Sequence, residues 1–368
     1  MSTETIFSAD LAGIEVGETA ISHVNGADGE LAYRGAPIET LVDKPFWQVV
    51  WLVLFGDYPN ASQEDALRIF MANNSSLSEQ ELAILKLLPN DLHPMLMLQA
   101  MVPIINLDAA DRIDGLSNDA HSGLIIASKL PSLIAAKRQF ELDRDAIAVD
   151  INESFHTNFL LMFNDQAPTE KQIQMLDTAQ ILQMEHGFNA STFAGRVCAS
   201  TLAPIQSAIT ASIATLYGEL HGGADQAALE MAQAIGKPEL AAAYVDDCLA
   251  KKIKIMGMGH REYKVLDPRA KILKPMAQEL CDSGDAKAIF STLVAVEDAC
   301  REAFNKKGKE IRANVEFYKG AVFYQLGVPS HYFTSLFAMA RVYGYIAHYL
   351  EFSGNSRLIR PKARYVGK

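Results

Sequence analysis

The chain is 368 residues long, 49% apolar and 21% charged, with a net charge of −11 from 44 acidic against 33 basic residues. That length accommodates one large domain or two smaller ones around an ample core, and the acidic balance excludes the basic face that nucleic-acid binding requires. Four scattered cysteines, Cys198, Cys248, Cys281 and Cys300, form no CxxC pair and read as thiols of a reducing compartment.

Residues 1–12 contain Glu4 and Asp10 but neither a basic start with an apolar run nor an Arg-rich amphipathic stretch. No secretory or transit peptide is visible, and a cytoplasmic location is expected. Residues 20–24 and 30–33 flank the turn Asn25-Gly26-Ala27-Asp28-Gly29, which predicts a β-hairpin. Residues 46–55 are apolar all round, as in a buried helix. The apolar stretches 45–55 and 92–107 are too short to span a bilayer. Helical spacing follows over 64–71, 79–88, 169–184, 204–217, 224–235, 239–251, 267–281 and 289–305. A long apolar helix is predicted over 332–352, where Ala338, Ala340, Gly344 and Ala347 permit close helix approach. Seams are expected at 110–118, 283–286 and 306–310. The fold class is therefore all-α, mostly helical with a short N-terminal β-hairpin, and the two halves of the chain meet around a cleft.

Three histidines stand out. His221 opens Leu220-His221-Gly222-Gly223-Ala224-Asp225 just before a helix, whose dipole favours a neutral imidazole able to donate to a carbonyl oxygen. His260 lies in Gly257-Met258-Gly259-His260, where position 262 is Glu and no Rossmann fingerprint results. Pro268 and Arg269 open the next helix, so Arg269 can face the same space as His260. His186 follows Glu185. No pair of histidines has zinc-ligand spacing, and no metal is expected. Arg341 sits inside the apolar helix, where a buried guanidinium requires an anionic partner such as a substrate carboxylate. Arg360 precedes Pro361 near the C-terminus. Glu316, in Asn314-Val315-Glu316-Phe317-Tyr318, is an acid among apolar and aromatic residues, the setting in which desolvation produces a useful base.

In this order and spacing, His186…Asn189-Ala190-Ser191-Thr192, His221-Gly222-Gly223-Ala224, Gly257-Met258-Gly259-His260…Asp267-Pro268-Arg269, Asn314-Val315-Glu316-Phe317-Tyr318, Arg341 and Arg360-Pro361 resemble the citrate synthase family. The likeness covers nearly the whole chain. It implies a helical homodimer with a large domain over 1–221 and 328–368 and a small domain over 222–327. It implies condensation of acetyl-CoA with oxaloacetate, in the manner of the tricarboxylic acid cycle, with the acyl-CoA as co-substrate and no permanently bound cofactor. His221, His260 and Glu316 would be catalytic. His186, Arg269 and Arg341 would hold the carboxylates of the oxo acid, and Arg360 would reach the neighbouring subunit's site. The segment Ile255, Gly257, Met258 and Gly259, with Asn314, would cradle the CoA adenine, and Lys264 would meet a CoA phosphate. No added N-terminal domain of the kind found in NADH-regulated hexamers of that family is present, so no NADH control is expected.

Two positions depart from the family pattern. Glu316 replaces the usual aspartate base and moves the carboxylate by roughly 1 Å; on the family pattern Glu316→Asp is expected to raise turnover. Asp225 replaces the usual asparagine and is expected to raise the pKa of His221. Two further readings stay open: a 2-methylcitrate synthase using propionyl-CoA, and a catalytically weak paralogue that binds CoA or a dicarboxylate.

Overall fold

The computed structural model describes residues 7–11, 13–109, 111–260, 262–354 and 357–367. A three-stranded antiparallel sheet, β1 (Ser22–Asn25), β2 (Glu30–Tyr33) and β3 (Ala36–Pro37), precedes sixteen α-helices among the described residues. The expected hairpin is present, with Asn25 opposite Glu30 and Ser22 opposite Tyr33. At its end Arg34 turns back and donates to the Val53 carbonyl at 3.1 and 3.2 Å, covering acceptors that the next long helix leaves open at its C-terminus.

The helices are α1 (Ile38–Leu41), α2 (Phe46–Phe55), α3 (Ala61–Asn73), α4 (Glu79–Leu87), α5 (Pro94–Met101), α6 (Asn118–Glu141), α7 (Phe155–Asn164) and α8 (Glu170–Gln183). There follow α9 (Ala190–Ala199), α10 (Ile205–Leu216), α11 (Ala224–Ile235), α12 (Ala241–Lys251), α13 (Pro268–Leu280), α14 (Gly284–Asn305), α15 (Val315–Gln325) and α16 (Phe333–Ser353). Starts are written in the sequence: Asn60, Ser78 and Thr169 form capping boxes with Gln63, Glu81 and Gln172.

Helical spacing alone does not predict α5, α6, α7, α9 or α15. The largest of these, α6, is 24 residues long and buried on nearly every side, so no polar stripe reports its period, and Pro131 lies inside it. Packing overrides the proline penalty there. Inside this layer Lys129 of α6 reaches both carboxylate oxygens of Glu81, at 2.7 and 2.9 Å. The expected seam at 283–286 is corrected: Ser283 is the N-cap and Gly284 already begins α14. Of the seam at 110–118, Ala110 lies outside the described residues, and Ser117 caps α6 by accepting from the Ala120 N–H.

The core is arranged around α16, which packs against α2, α6, α8, α9 and α10. A second group, α11, α13, α14 and α15, packs on itself and meets the first where α13 touches α8 and α11 touches α16. The hairpin turn joins them as well, since the Lys264 N–H donates to the Gly26 carbonyl at 2.8 Å. No helix among the described residues is long and apolar enough to cross a membrane.

Candidate active site

Two loops fold as one unit at the junction of the helical groups. Met258 pairs with Ala313 in an isolated antiparallel bridge. The Gly259 N–H donates to the Arg312 carbonyl at 2.8 Å, and the Asn314 N–H donates to Gly257 at 2.9 Å. The Asn314 side chain finishes the join: its amide donates to the Gly259 carbonyl at 2.9 Å, and its oxygen caps α15 by accepting from the Glu316 N–H at 3.0 Å. This brings His260 and Glu316, 56 positions apart, to one place.

Around His260 the protein fixes both tautomer and charge. Its Nδ1 accepts backbone N–H bonds from Glu262 (3.0 Å) and Tyr263 (3.3 Å), which outweigh the longer 3.4 Å approach of the Arg269 Nη2 donor to Nε2 and place the proton of the neutral ring on Nε2. Burial, then the Arg269 charge, pulls its pKa down to about 4, against opposing pulls from Asp267 and Glu316. The His186 ring is 5.5 Å from the His260 ring between centroids, and its Nε2 is 3.0 Å from the Tyr263 hydroxyl. Burial and the neighbouring Arg269 and Arg341 push His186 well below its ordinary pKa. Arg269 is gripped by Asp267, which accepts from Nε at 3.0 Å and Nη2 at 2.8 Å. Asp267 also accepts the Val315 N–H at 3.2 Å, tying Arg269 to the start of the Glu316 helix.

His221 reaches the same space from the turn before α11. The Ser191 N–H donates to its Nε2 at 3.3 Å, and the Ser191 hydroxyl lies 2.8 Å from the same nitrogen. With Nε2 used as an acceptor, the neutral ring carries its proton on Nδ1. Ser191 is itself held by Asn189, which accepts its hydroxyl at 2.8 Å, and by Tyr345, which donates to it at 2.8 Å. The His221 pKa falls to about 4 through burial and Arg341, opposed by Glu316. The neutral form expected at this turn is thus favoured by burial and by Arg341. The expected effect of Asp225 is also corrected. Asp225 lies 3.0 Å from the Lys319 ammonium and is absent from the charges that act on His221.

Arg341 is 2% exposed on α16. Its Nε donates to the Gln183 carbonyl at 2.6 Å, and its guanidinium lies 4.7 Å from the centre of the Phe337 ring. Among the described residues no carboxylate pairs with it within 4.0 Å. Gly344, one turn on, lets the buried Glu185 carboxylate and the Met184 carbonyl approach α16 more closely than any side chain would allow. Glu185 accepts from Ser22 Oγ (3.0 Å), the Gly187 N–H (2.6 Å) and His348 Nε2 (3.0 Å), and so locks the turn that carries His186. Behind it, Arg196 donates to His348 Nδ1 at 2.9 Å and pairs with Glu351 at 2.8 Å. Glu316 is not isolated among apolar groups, as expected from its neighbours in sequence. Its carboxylate touches the Lys319 ammonium and lies 3.5 Å from the Gln183 amide.

The structure therefore assembles His186, His221, His260, Arg269, Glu316 and Arg341. It does not bring Arg360 to them within one chain: that side chain is exposed and donates to the Pro361 carbonyl at 3.0 Å. Ile255 and Met258 are buried beside Gly257, and Lys264 is exposed. Sequence reasoning gave no role to Gln183, Ser191, Tyr263, Asp267, Lys319, Tyr345 or His348. One signal was available for Lys319, which stands three positions after Glu316 in an otherwise apolar helix.

The two imidazoles make stability depend on pH in a definite direction. In the unfolded chain a histidine titrates near 6.5, and in the fold His221 and His260 titrate at about 4. Between those values the unfolded state binds more protons, so stability is lost as pH falls from about 6.5 toward 4. At pH 5 the two together remove roughly 4 kcal/mol relative to pH 7. Denaturant unfolding at the two pH values measures this, and the His221→Gln/His260→Gln variant is expected to lose most of the difference.

The citrate synthase C-terminal domain family model matches residues 10–362. The citrate synthase of Synechocystis sp. is 34% identical over 369 residues, covering all of this chain and 92% of the relative. The 2-methylcitrate synthase of Shewanella oneidensis is 34% identical over 365 residues, covering 98% of this chain and 94% of the relative. Among solved structures, citrate synthase from Thermotoga maritima superposes with a TM-score of 0.88 at 33% identity, covering 99% of this chain and 96% of that one. The citrate synthase of Thermoplasma acidophilum, solved as a ternary complex with carboxymethyl coenzyme A and oxaloacetate, gives a TM-score of 0.88 at 28% identity, with 97% of this chain and 95% of that one covered. With its helical architecture and its paired histidines beside a carboxylate, the chain belongs to the citrate synthase family of condensing enzymes.

Proposed function

We propose that this enzyme condenses acetyl-CoA with oxaloacetate to give citrate and free CoA. The observation that carries the reading is the pair of neutral imidazoles at one carboxylate. Each uses one ring nitrogen as an acceptor within the protein and keeps the other protonated. His221 Nδ1–H donates to the thioester oxygen while Glu316 removes a methyl proton, so the C–H bond breaks as the enol forms. The enol carbon then attacks the 2-oxo carbon of oxaloacetate, whose oxygen accepts from His260 Nε2–H. Fixed donors where oxyanion charge develops are worth several kcal/mol in a site shielded from water. Water cleaves the resulting thioester and releases CoA.

Arg341, Arg269 and His186 hold the oxaloacetate carboxylates. A buried guanidinium without an internal carboxylate partner is costly, and a dianionic substrate supplies the missing charge. Ile255, Gly257, Met258 and Gly259, braced by Asn314, form the adenine cradle, and the exposed Lys264 faces a CoA phosphate. The helical group α11 to α15 forms most of a small domain, 222–327, that closes on the large domain, 1–221 and 328–368. The protein acts in the cytoplasm as a homodimer, with Arg360 completing the neighbouring subunit's site.

Thiol release from acetyl-CoA and from propionyl-CoA, each crossed with several 2-oxo acids, tests this reading. Free CoA is expected from acetyl-CoA only when oxaloacetate is present. Faster release from propionyl-CoA would reassign the protein to 2-methylcitrate synthesis. No release from either, with binding retained in calorimetry, would make it a binding protein.

A further inference from the structure

Lys319 is wholly buried on α15, one turn beyond Glu316. Its ammonium touches the Glu316 carboxylate and lies 3.0 Å from Asp225 Oδ2 on α11. The rings of Phe337 and Phe323 complete the cage, 4.4 and 5.6 Å from the nitrogen. The packing is specific. A Cβ at Gly320 would stand 2.7 Å from the Asp225 carbonyl, so glycine is what lets α15 and α11 come close enough for the contact. Asp225 is fully buried, and burial pushes its pKa up to about 6 against the pull of Lys319.

A buried ammonium is retained only with close counter-charge. Here it has two carboxylates, and one of them is the proposed base. Among the described residues Lys319 is the sole cation paired with Glu316 within 4.0 Å, while the Gln183 amide is a long contact at 3.5 Å. Glutamate has one more rotatable bond than aspartate, and an unrestrained carboxylate would not stay at a reacting carbon. Resting on the reading of Glu316 as the base, we propose that Lys319 is the positioning residue for its carboxylate, with Asp225 as the counter-ion on the facing helix.

The alternative is that Lys319 merely neutralises Asp225 between two helices. Paired substitution separates the two. Lys319→Met alone leaves the buried Asp225 carboxylate facing the partly buried Glu316 carboxylate and lowers thermal stability. Lys319→Met/Asp225→Asn removes both charges and recovers it. If Lys319 positions the base, the double variant stays on the order of 100-fold down in kcat, with the oxaloacetate KM changed by about twofold at most. The other charged and titratable groups acting with Glu316 are His221, His260 and Arg269, all unchanged in this variant. A double variant within about threefold of the unsubstituted kcat overturns the assignment.

A second measurement needs no turnover. In the Asp225→Asn background, Glu316→Gln and Lys319→Met are combined as a thermal double-mutant cycle. Shifts non-additive by about 3 °C or more are expected, and additive shifts overturn the assignment. Were the unsubstituted protein to release no thiol, the condensing reading would fall, and this cycle would still judge the Lys319–Glu316 contact.

Discussion

Replacing Glu316 by glutamine is expected to lower kcat on the order of 1,000-fold while leaving the oxaloacetate KM nearly unchanged. The amide keeps the shape of the side chain but cannot take a proton, and a positioned general base contributes about 100- to 10,000-fold. In the proposed reading oxaloacetate is held by Arg341, Arg269 and His186, which the substitution does not touch. Steady-state kinetics with saturating acetyl-CoA separate the two parameters; equal losses in kcat and affinity would point to a collapsed site instead. The same geometry reverses the expectation for Glu316→Asp drawn from the family pattern. The shorter arm withdraws from Lys319, whose ammonium contacts the glutamate. Turnover should therefore fall, by about 10- to 100-fold for a displacement near 1 Å. A gain in turnover would show that the loop still suits aspartate.

The second large effect is at Arg341. Arg341→Leu is expected to raise the oxaloacetate KM by at least about 100-fold, the cost of losing one partner of a buried charge-assisted pair. The apo protein should keep or gain thermal stability. Arg341 is 2% exposed and, among the described residues, makes one hydrogen bond, to the Gln183 carbonyl. Among the described residues no carboxylate pairs with it within 4.0 Å, so an apolar replacement removes its desolvation cost and gives up only its longer-range field on Glu185. Loss of function with an unchanged or higher thermal midpoint is the signature of a residue kept for its ligand. A sharp fall in the midpoint would show that Arg341 is structural, its field needed by neighbours such as Glu185, whose carboxyl burial would raise and whose surroundings, His348 foremost and Arg341 among them, hold below its ordinary pKa.

Local chemistry alone determined much of this protein. The hairpin follows from a glycine-rich turn between two short strands. Most helices follow from apolar spacing and their capping residues. His186, His221, His260, Arg269, Glu316 and Arg341 were all legible as chemistry-bearing residues in a fixed order, and they do share one space. The sequence did not reveal α6, because a helix buried on every side carries no polar stripe. The electrostatics could not be read either, because charge depends on neighbours in space. Asp225 lies four positions from His221 yet pairs with Lys319, 94 positions away. Glu316 sits among apolar residues in the chain and against an ammonium in the fold. The His221 pKa is lowered by burial and by Arg341, 120 positions away. Residue types and their local period fix which elements form and which side chains can do chemistry. Only packing brings distant charges within a few ångströms, where the low dielectric makes their interaction large enough to decide protonation.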